Sequence, residues 1–277
     1  MSTNIEKYEA YIKKYGLLGI EVPFEFDIDK EHDRVVITQY KSTDDEYRVI
    51  EVPSFVTSVR EDSIYMCGAF TYVEQSLKVV HRGNQMKSMR AMFNKYRGKE
   101  LDLSDFDTTG VEDMIMLFND CINIEKLNIS NFDTSEVTDM RMMFNGMHKI
   151  RNIDISSFDT GKVKDMGNMF SNCFRLKQMD MSKLNTDNLT DVINIFSGCT
   201  NIEKINLSSI KSNINGVFEM FYGCNNLKNL DIYNITDSRG LGGCFYGCIS
   251  LEKVRVKDKR VIDRINGILD GRVAWVK

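Results

Sequence analysis

The sequence predicts an α/β solenoid with a parallel strand face, short helices on the other face, and a cap at each end. Three observations lead there. Phe93, Phe118, Phe144, Phe170, Phe196, Phe221 and Phe245 recur at intervals of 25, 26, 26, 26, 25 and 24 residues, a period typical of stacked supersecondary units. Each is followed, eight or nine residues on, by two apolar positions separated by one polar residue, as in Ile153-Asp154-Ile155. Such alternation marks a strand with one buried face. Ahead of the phenylalanine, apolar residues fall three and four apart, as in Val137, Met140, Met143 and Phe144, the spacing of a short helix.

Residues 1–60 read as an N-terminal cap. Asn4 to Lys14 has helical character, and Glu21 to Asp29, Arg34 to Tyr40 and Tyr47 to Val52 read as strands between acidic turns. Pro23 and Pro53, the only prolines, both fall here. Residues 61–257 form the solenoid of seven to eight rungs, with Ala69-Phe70 as a degenerate first rung 23 residues before Phe93. The apolar strand pairs run from Leu101 and Leu103 to Val254 and Val256. With strands about 4.8 Å apart, seven of them make a strip of roughly 30 Å. A single unit cannot bury its apolar side, so neighbouring rungs supply the core and end rungs need caps. Residues 258–277 form the second cap, with a helix over Lys259 to Leu269 and a strand over Arg272 to Val276.

Ile124, Leu127 and Ile129 reproduce the L-x-x-L-x-L spacing of a leucine-rich repeat. The fuller phrases LNISNFDTSEVTDM (127–140) and IDISSFDTGKVKDM (153–166) each lead into MF. They resemble the BspA-like leucine-rich repeats of bacterial surface proteins. The resemblance covers residues 86–257 and keeps FDT, the VxxM spacing, MF and the following cysteine in register. It fades toward the C-terminus, where FDT becomes Leu184-Asn185-Thr186, then Ile210-Lys211-Ser212. It implies a leucine-rich-repeat fold and, for many members, secreted or surface-anchored adhesion.

Composition narrows the function. The chain carries a net charge of -4, 27% charged residues and no stretch of roughly 18 apolar residues that would span a bilayer. Met1 to Lys14 contains no continuous apolar segment of the secretory kind, which points to a cytoplasmic protein; a secreted or cell-surface protein whose leader was omitted is the alternative. Five of seven cysteines lie three residues after a repeat phenylalanine, where Met147 and Tyr96 replace them in other rungs, so they read as buried apolar filler rather than disulfides or metal ligands. Only His32, His81 and His148 supply imidazole. With no nucleophile-base pair, phosphate loop or metal-ligand cluster, the expectation is a non-enzyme without metal or cofactor. Asp107, Asp133 and Asp159 read as helix caps.

In-register stacking turns each outward strand position into a column. The first contributes Lys126, Lys204 and Lys253 as candidate partner-binding residues. The second, mostly Asp and Asn, contributes Asp154, Asp180, Asp231 and Arg255; it serves either to satisfy nearby backbone groups or as a binding strip. The third is serine until it becomes Tyr233 and Lys257. Tyr233, Arg255 and Lys257 thus gather an aromatic and two cations near the last rung, a composition favoured at binding hot spots. Residues 75–99 carry +7 and residues 21–62 carry -7. Lys87, Arg90, Lys95, Arg97 and Lys99 in the basic block are candidate contacts for phosphate or an acidic partner.

The expected function is non-catalytic macromolecular binding: an intracellular protein-binding inhibitor or adaptor, of the kind a mobile element would encode to block a host enzyme or defence complex. The alternatives are an adhesin and a nucleic-acid binder using residues 75–99.

Overall fold

Around each repeat phenylalanine, backbone N–H groups alternate between two destinations. Those of Met89, Ala91, Phe93 and Lys95 donate to the carbonyls of Asp113, Ile115, Leu117 and Asn119 in the next rung, whereas those of Met92, Asn94 and Tyr96 close turns onto Met89, Ala91 and Phe93. The pattern repeats through Phe118, Phe144 and Phe170. The alternation requires a left-handed residue two places on either side of the ring. Ala91, Met116, Met142, Asn168 and Asn194 occupy the first of these positions at φ between 53° and 57°. The helical spacing read from the sequence is therefore a run of linked turns in these rungs, because an α-helix would direct every N–H four residues back along its own chain. An α-helix occurs on this face at α2 (Leu241–Cys244).

The computed structural model describes residues 3–18, 24–30, 34–40, 48–52, 56, 58–59, 69–82, 86–210, 217–236, 239–269 and 274–276. Pro23, Pro53, His32 and Cys67 lie outside them. The molecule is a parallel leucine-rich-repeat solenoid with rings stacked through its middle. Successive centroids from Phe70 to Phe93, Phe118, Phe144, Phe170, Phe196, Phe221 and Phe245 lie 4.8, 5.8, 5.6, 5.5, 5.4, 6.4 and 5.7 Å apart. Phe70 thus anchors a genuine first rung, and Tyr40 stacks on it at 5.2 Å. Val137, Met140, Met143 and Met147, with their counterparts in other rungs, fill the space around the rings and are fully buried.

On the strand face, β3 (Arg48–Val52), β5 (Leu77–His81), β6 (Glu100–Asp102) and β7 (Lys126–Asn128) form one parallel sheet. The ladder thus starts inside the segment read as the N-terminal cap. A second sheet joins β8 (Gln178–Asp180), β9 (Lys204–Asn206), β10 (Asn229–Asp231), β11 (Lys253–Arg255) and β12 (Ala274–Val276). Between them, residues 152–155 belong to neither ladder, so the continuous seven-rung strip expected from the sequence is interrupted at its centre. The turn ladder continues across the interruption through the parallel bridges Asp113–Asp139, Asp139–Asp165 and Asp165–Asp191, and the phenylalanine stack is unbroken. The rungs therefore remain joined by core and turns where the strand ladder is interrupted.

Three polar devices fix the corners. Asp102, Asn128, Asp154, Asp180, Asn206 and Asp231 each accept the backbone N–H two residues on. Asp107, Asp133 and Asp159 do the same at the FDT corner, capping turns rather than the helices expected. The buried hydroxyls of Thr108, Thr134 and Thr160 donate to the carbonyls of Asp133, Asp159 and Asn185 in the following rung. Each rung is thereby tied to the next without a strand bond.

The ends are covered. At the N-terminus, α1 (Asn4–Leu18) lays Tyr8 and Tyr11 edge-on to Phe26 of β1 (Phe24–Asp29), which pairs antiparallel with β2 (Arg34–Tyr40); β2 pairs in parallel with β4 (Ser58–Val59). At the C-terminus, α3 (Lys259–Leu269) buries Val261, Ile265 and Leu269, and β12 continues the sheet beside β11.

Candidate functional site

The strand face displays the predicted partner-binding residues in two groups. In the last rungs, register places Lys204 beside Asn229 and Asn229 beside Lys253, while Asp231 lies beside Arg255. The Arg255 guanidinium lies over the Tyr233 ring, 4.3 Å from its centroid, and donates to Asp231 Oδ2 at 3.0 Å. It is therefore held from two sides, by a ring quadrupole and a carboxylate. Asp231 Oδ1 meanwhile takes the Tyr233 N–H at 3.1 Å, so one carboxylate fixes both the backbone and the cation. Lys253 precedes this cluster and Lys257 follows it. Held between the ring and the carboxylate, the Arg255 side chain has little freedom left to lose on binding.

The second group surrounds the interruption. Asn152, Asp154 and Ser156 on one side and Gln178, Asp180 and Lys204 on the other line a cleft of about 580 Å³. Ile153, Met179 and Leu184 supply its apolar lining, and Lys183 and Asn206 complete its rim. Ser156 donates from side chain and backbone to Asp154 and holds that carboxyl below the usual carboxylate range. Asp180 also sits below that range: burial raises it, but the two Ser182 hydrogen bonds and the charges of Lys204 and Lys183 outweigh the burial. Lys126 stands apart on β7, where its Nζ meets Glu100 at 2.6 Å.

The basic segment has a different setting. Lys87 Nζ lies 3.5 Å from Glu112 and donates to the Gly110 carbonyl, and Arg90 Nε donates to Asp113 at 2.8 Å. Arg97 reaches the Asp120 carbonyl and lies 5.6 Å from the Tyr72 centroid. Lys95 occupies a left-handed turn position at φ 59°. Only Lys99, immediately before β6, adjoins the strand face. Lys87, Arg90 and Lys95 thus lie on the turn face, and Lys87 and Arg90 already meet acids of the next rung.

Six described cysteines are buried. The thiols of Cys121, Cys173, Cys199, Cys224 and Cys248 each donate to the phenylalanine carbonyl of the preceding rung, at 3.0 to 3.2 Å. Burial pushes the Cys173 and Cys248 thiols up to about 12, far from the thiolate a nucleophile or metal ligand needs. No group of three potential metal-ligating side chains occurs among the described residues.

Sequence reading missed an exposed apolar group on the turn face: Phe218, Tyr222, Tyr246 and Ile249, the last two 69% and 70% exposed. Its signal was present. The position after the repeat phenylalanine is Asn94, Asn119 and Asn145, whose amides bond rung to rung, and it becomes Tyr222 and Tyr246, whose rings stack at 5.2 Å. The central cleft left no such trace.

A family model described as "Mycoplasma protein of unknown function, DUF285" matches residues 87–209 and 151–257, together more than half of the chain. The chain belongs to this family. The matched residues cover the rungs from Lys87 to Lys257. Among solved structures, the chain is similar to the leucine-rich repeat protein TpLRR of T. pallidum, at 14% identity and a TM-score of 0.42, over 89% of this chain and 93% of that one. It is also similar to the pneumococcal vaccine antigen PcpA, at 11% identity and a TM-score of 0.26, over 92% and 96% of the two chains. No curated protein matches the sequence. Among the described residues, no helix is long and apolar enough to cross a membrane.

Proposed function

We propose that this DUF285 protein is a non-catalytic protein-binding module, acting inside the cell as an inhibitor or adaptor through the C-terminal half of its strand face. The observation carrying the reading is the Tyr233–Arg255–Asp231 cluster. A guanidinium clamped between a ring at 4.3 Å and a carboxylate at 3.0 Å is pre-ordered for a partner. Arg and Tyr on a rigid support match the residues that dominate interface energetics. The neighbouring Lys204, Lys253 and Lys257 give the surface a cationic rim that favours a partner with acidic groups.

The test is capture of a partner from lysate of the source cell, comparing wild type with the triple variant Tyr233→Ala/Arg255→Ala/Lys257→Ala. Because these side chains lie on the surface of a rung held by its core, the variant should melt near the wild-type temperature and retain less than a tenth of the captured protein. Undiminished capture by a folded triple variant would remove this surface from the binding site.

A further inference from the structure

We infer that the corner leading from the turns to the strand face in two central rungs is a site for single-stranded nucleic acid, formed by His148, Lys149, Arg151, Phe174, Arg175 and Lys177. The inference goes beyond the protein-binding reading and concerns other rungs than those of the Tyr233–Arg255–Asp231 cluster.

Stacking fixes the geometry. The His148 and Phe174 rings lie 4.4 Å apart at 19°, and the Lys177 N–H donates to the Arg151 carbonyl at 3.2 Å. The two rungs therefore run in register here, with Arg175 one rung beyond Lys149 and Lys177 one rung beyond Arg151. At their core phenylalanines the rungs are 5.5 Å apart. Residues 146–152 and 172–178 hold these four cations and no acid. Lys177 meets Glu203 at 3.4 Å, whereas Lys149, Arg151 and Arg175 make no ion pair among the described residues. The acids that follow on the strand face do not pair with them: Ser156 holds Asp154, and the cations acting on Asp180 are Lys204 and Lys183. Like charges one rung apart repel, and a chain of phosphates would offset that repulsion while releasing its own counterions. The basic segment has the opposite character, because Lys87 and Arg90 already meet Glu112 and Asp113.

The rings and the width of the patch select the polyanion. Burial holds the His148 imidazole below its ordinary value, so at pH 7 it is a mostly neutral ring. Phe174 remains 36% exposed, and the next rung carries Thr200 at its position, a side chain smaller than the ring it would have to cover. Thr200 Oγ1 and Asn201 Nδ2 donate to the Phe174 carbonyl at 3.4 and 2.7 Å, which anchors the residue that carries the ring. An exposed ring beside guanidinium groups is a stacking platform for bases, with the cations following the phosphates. Glu125 and Glu203 take the place of Arg151 and Lys177 in the flanking rungs, so the cationic patch is two rungs wide. A membrane or a duplex presents a broad anionic surface that would meet those acids as well, whereas a single strand is narrow enough to follow the patch. An acidic peptide would pair with the cations but has no base to lay against the ring.

The test uses the full chain and a fluorescein-labelled oligothymidine, read by fluorescence anisotropy across a salt series. The expected result is saturable binding at 50 mM salt, weakened at least tenfold by Arg151→Glu/Arg175→Glu, with a shallower dependence on salt. Phe174→Ala should weaken binding by about fivefold or more and keep the salt dependence, and Lys87→Glu/Arg90→Glu should bind as wild type does. Absent binding, or binding indifferent to the arginine changes, overturns the inference. Binding that ignores Phe174→Ala reduces the patch to bare charge and overturns it too. Labelled hexaglutamate, or vesicles of phosphatidylserine and phosphatidylcholine, bound as tightly and with the same dependence on Arg151 and Arg175 overturn it in favour of an acidic protein or a membrane. Matching melting temperatures separate lost binding from lost fold, and if the charge-reversal variant unfolds, Arg151→Gln/Arg175→Gln is measured in its place. Lysate capture through Tyr233, Arg255 and Lys257 reads the other surface, so either site can fail while the other stands.

Discussion

At the scale of the residue, the acidic columns are structural pieces with opposite electrostatic signs. Asp154 accepts from Ser156 and holds its proton less tightly than an ordinary carboxylate. A depressed folded value contributes stability above the unfolded pKa, and that stability is lost as pH falls through the folded value. Asp165 is the reverse: burial, then the neighbouring charges of Asp191 and Asp139, raise its pKa despite the Gly167 N–H and Arg141. Its ionisation therefore costs stability once pH rises above the unfolded value. Asn serves the same capping geometry at 128 and 206, so both aspartates can be replaced without losing the acceptor. Asp165→Asn is expected to raise stability at pH 7 by up to about 1 kcal/mol, the range for relieving like charges opposite one another. Asp154→Asn should lower it by ~0.3 kcal/mol or less, because solvent screens an exposed charge. Both differences should shrink toward pH 3. Urea titrations of the three proteins across that range decide the matter, and equal signs at pH 7 would refute the assignment.

At the scale of the element, the sequence reveals the period more readily than the path of the backbone. Phe, Met and Val at three- and four-residue spacing suit a helix or a chain of turns equally well. What separates them is φ, and the left-handed places hold Ala91, Met116 and Met142, residues that do not announce such a conformation. The caps fared differently. Lys259–Leu269 forms the expected helix and Arg34–Tyr40 the expected strand, since those stretches carry ordinary periodicity. At 152–156 the residues Asn-Ile-Asp-Ile-Ser repeat the strand pattern of their neighbours, so the interruption arises from stacking geometry that no local pattern encodes. The threonine corner was likewise invisible as a ladder. Thr134 is 1% exposed and donates to the Asp159 carbonyl at 2.8 Å. Thr134→Val keeps the shape and strands that carbonyl, at a cost of about 1–3 kcal/mol; Thr134→Ser retains the donor and should lose less. Chemical denaturation of both variants checks the order, and a valine variant as stable as wild type would show that the corner carries no such bond.

For the whole molecule, stability follows from linear stacking. Each rung rests on its neighbours, so the ends govern solubility as much as the middle governs shape. Position in the stack was legible from the repeat, as was the need for closure; the stacked Phe70 and Tyr40 show closure on the N-terminal side reaching further than the repeat phrase itself. On the other side, Val261, Ile265 and Leu269 of α3 are 0%, 0% and 4% exposed. At ~1.5–3 kcal/mol for each buried aliphatic side chain, they contribute roughly 5–9 kcal/mol gross, reduced by the entropy of ordering the helix. Ending the chain after Lys257 removes that cover and the β12 edge together, and bares the strand edge of β11 to pairing with another molecule. The truncated protein is expected to melt well below the full chain and to self-associate at micromolar concentration, seen by calorimetry and multi-angle light scattering. A monodisperse monomer with an unchanged melting temperature would mean that the last rung closes itself, and that α3 serves binding rather than the fold.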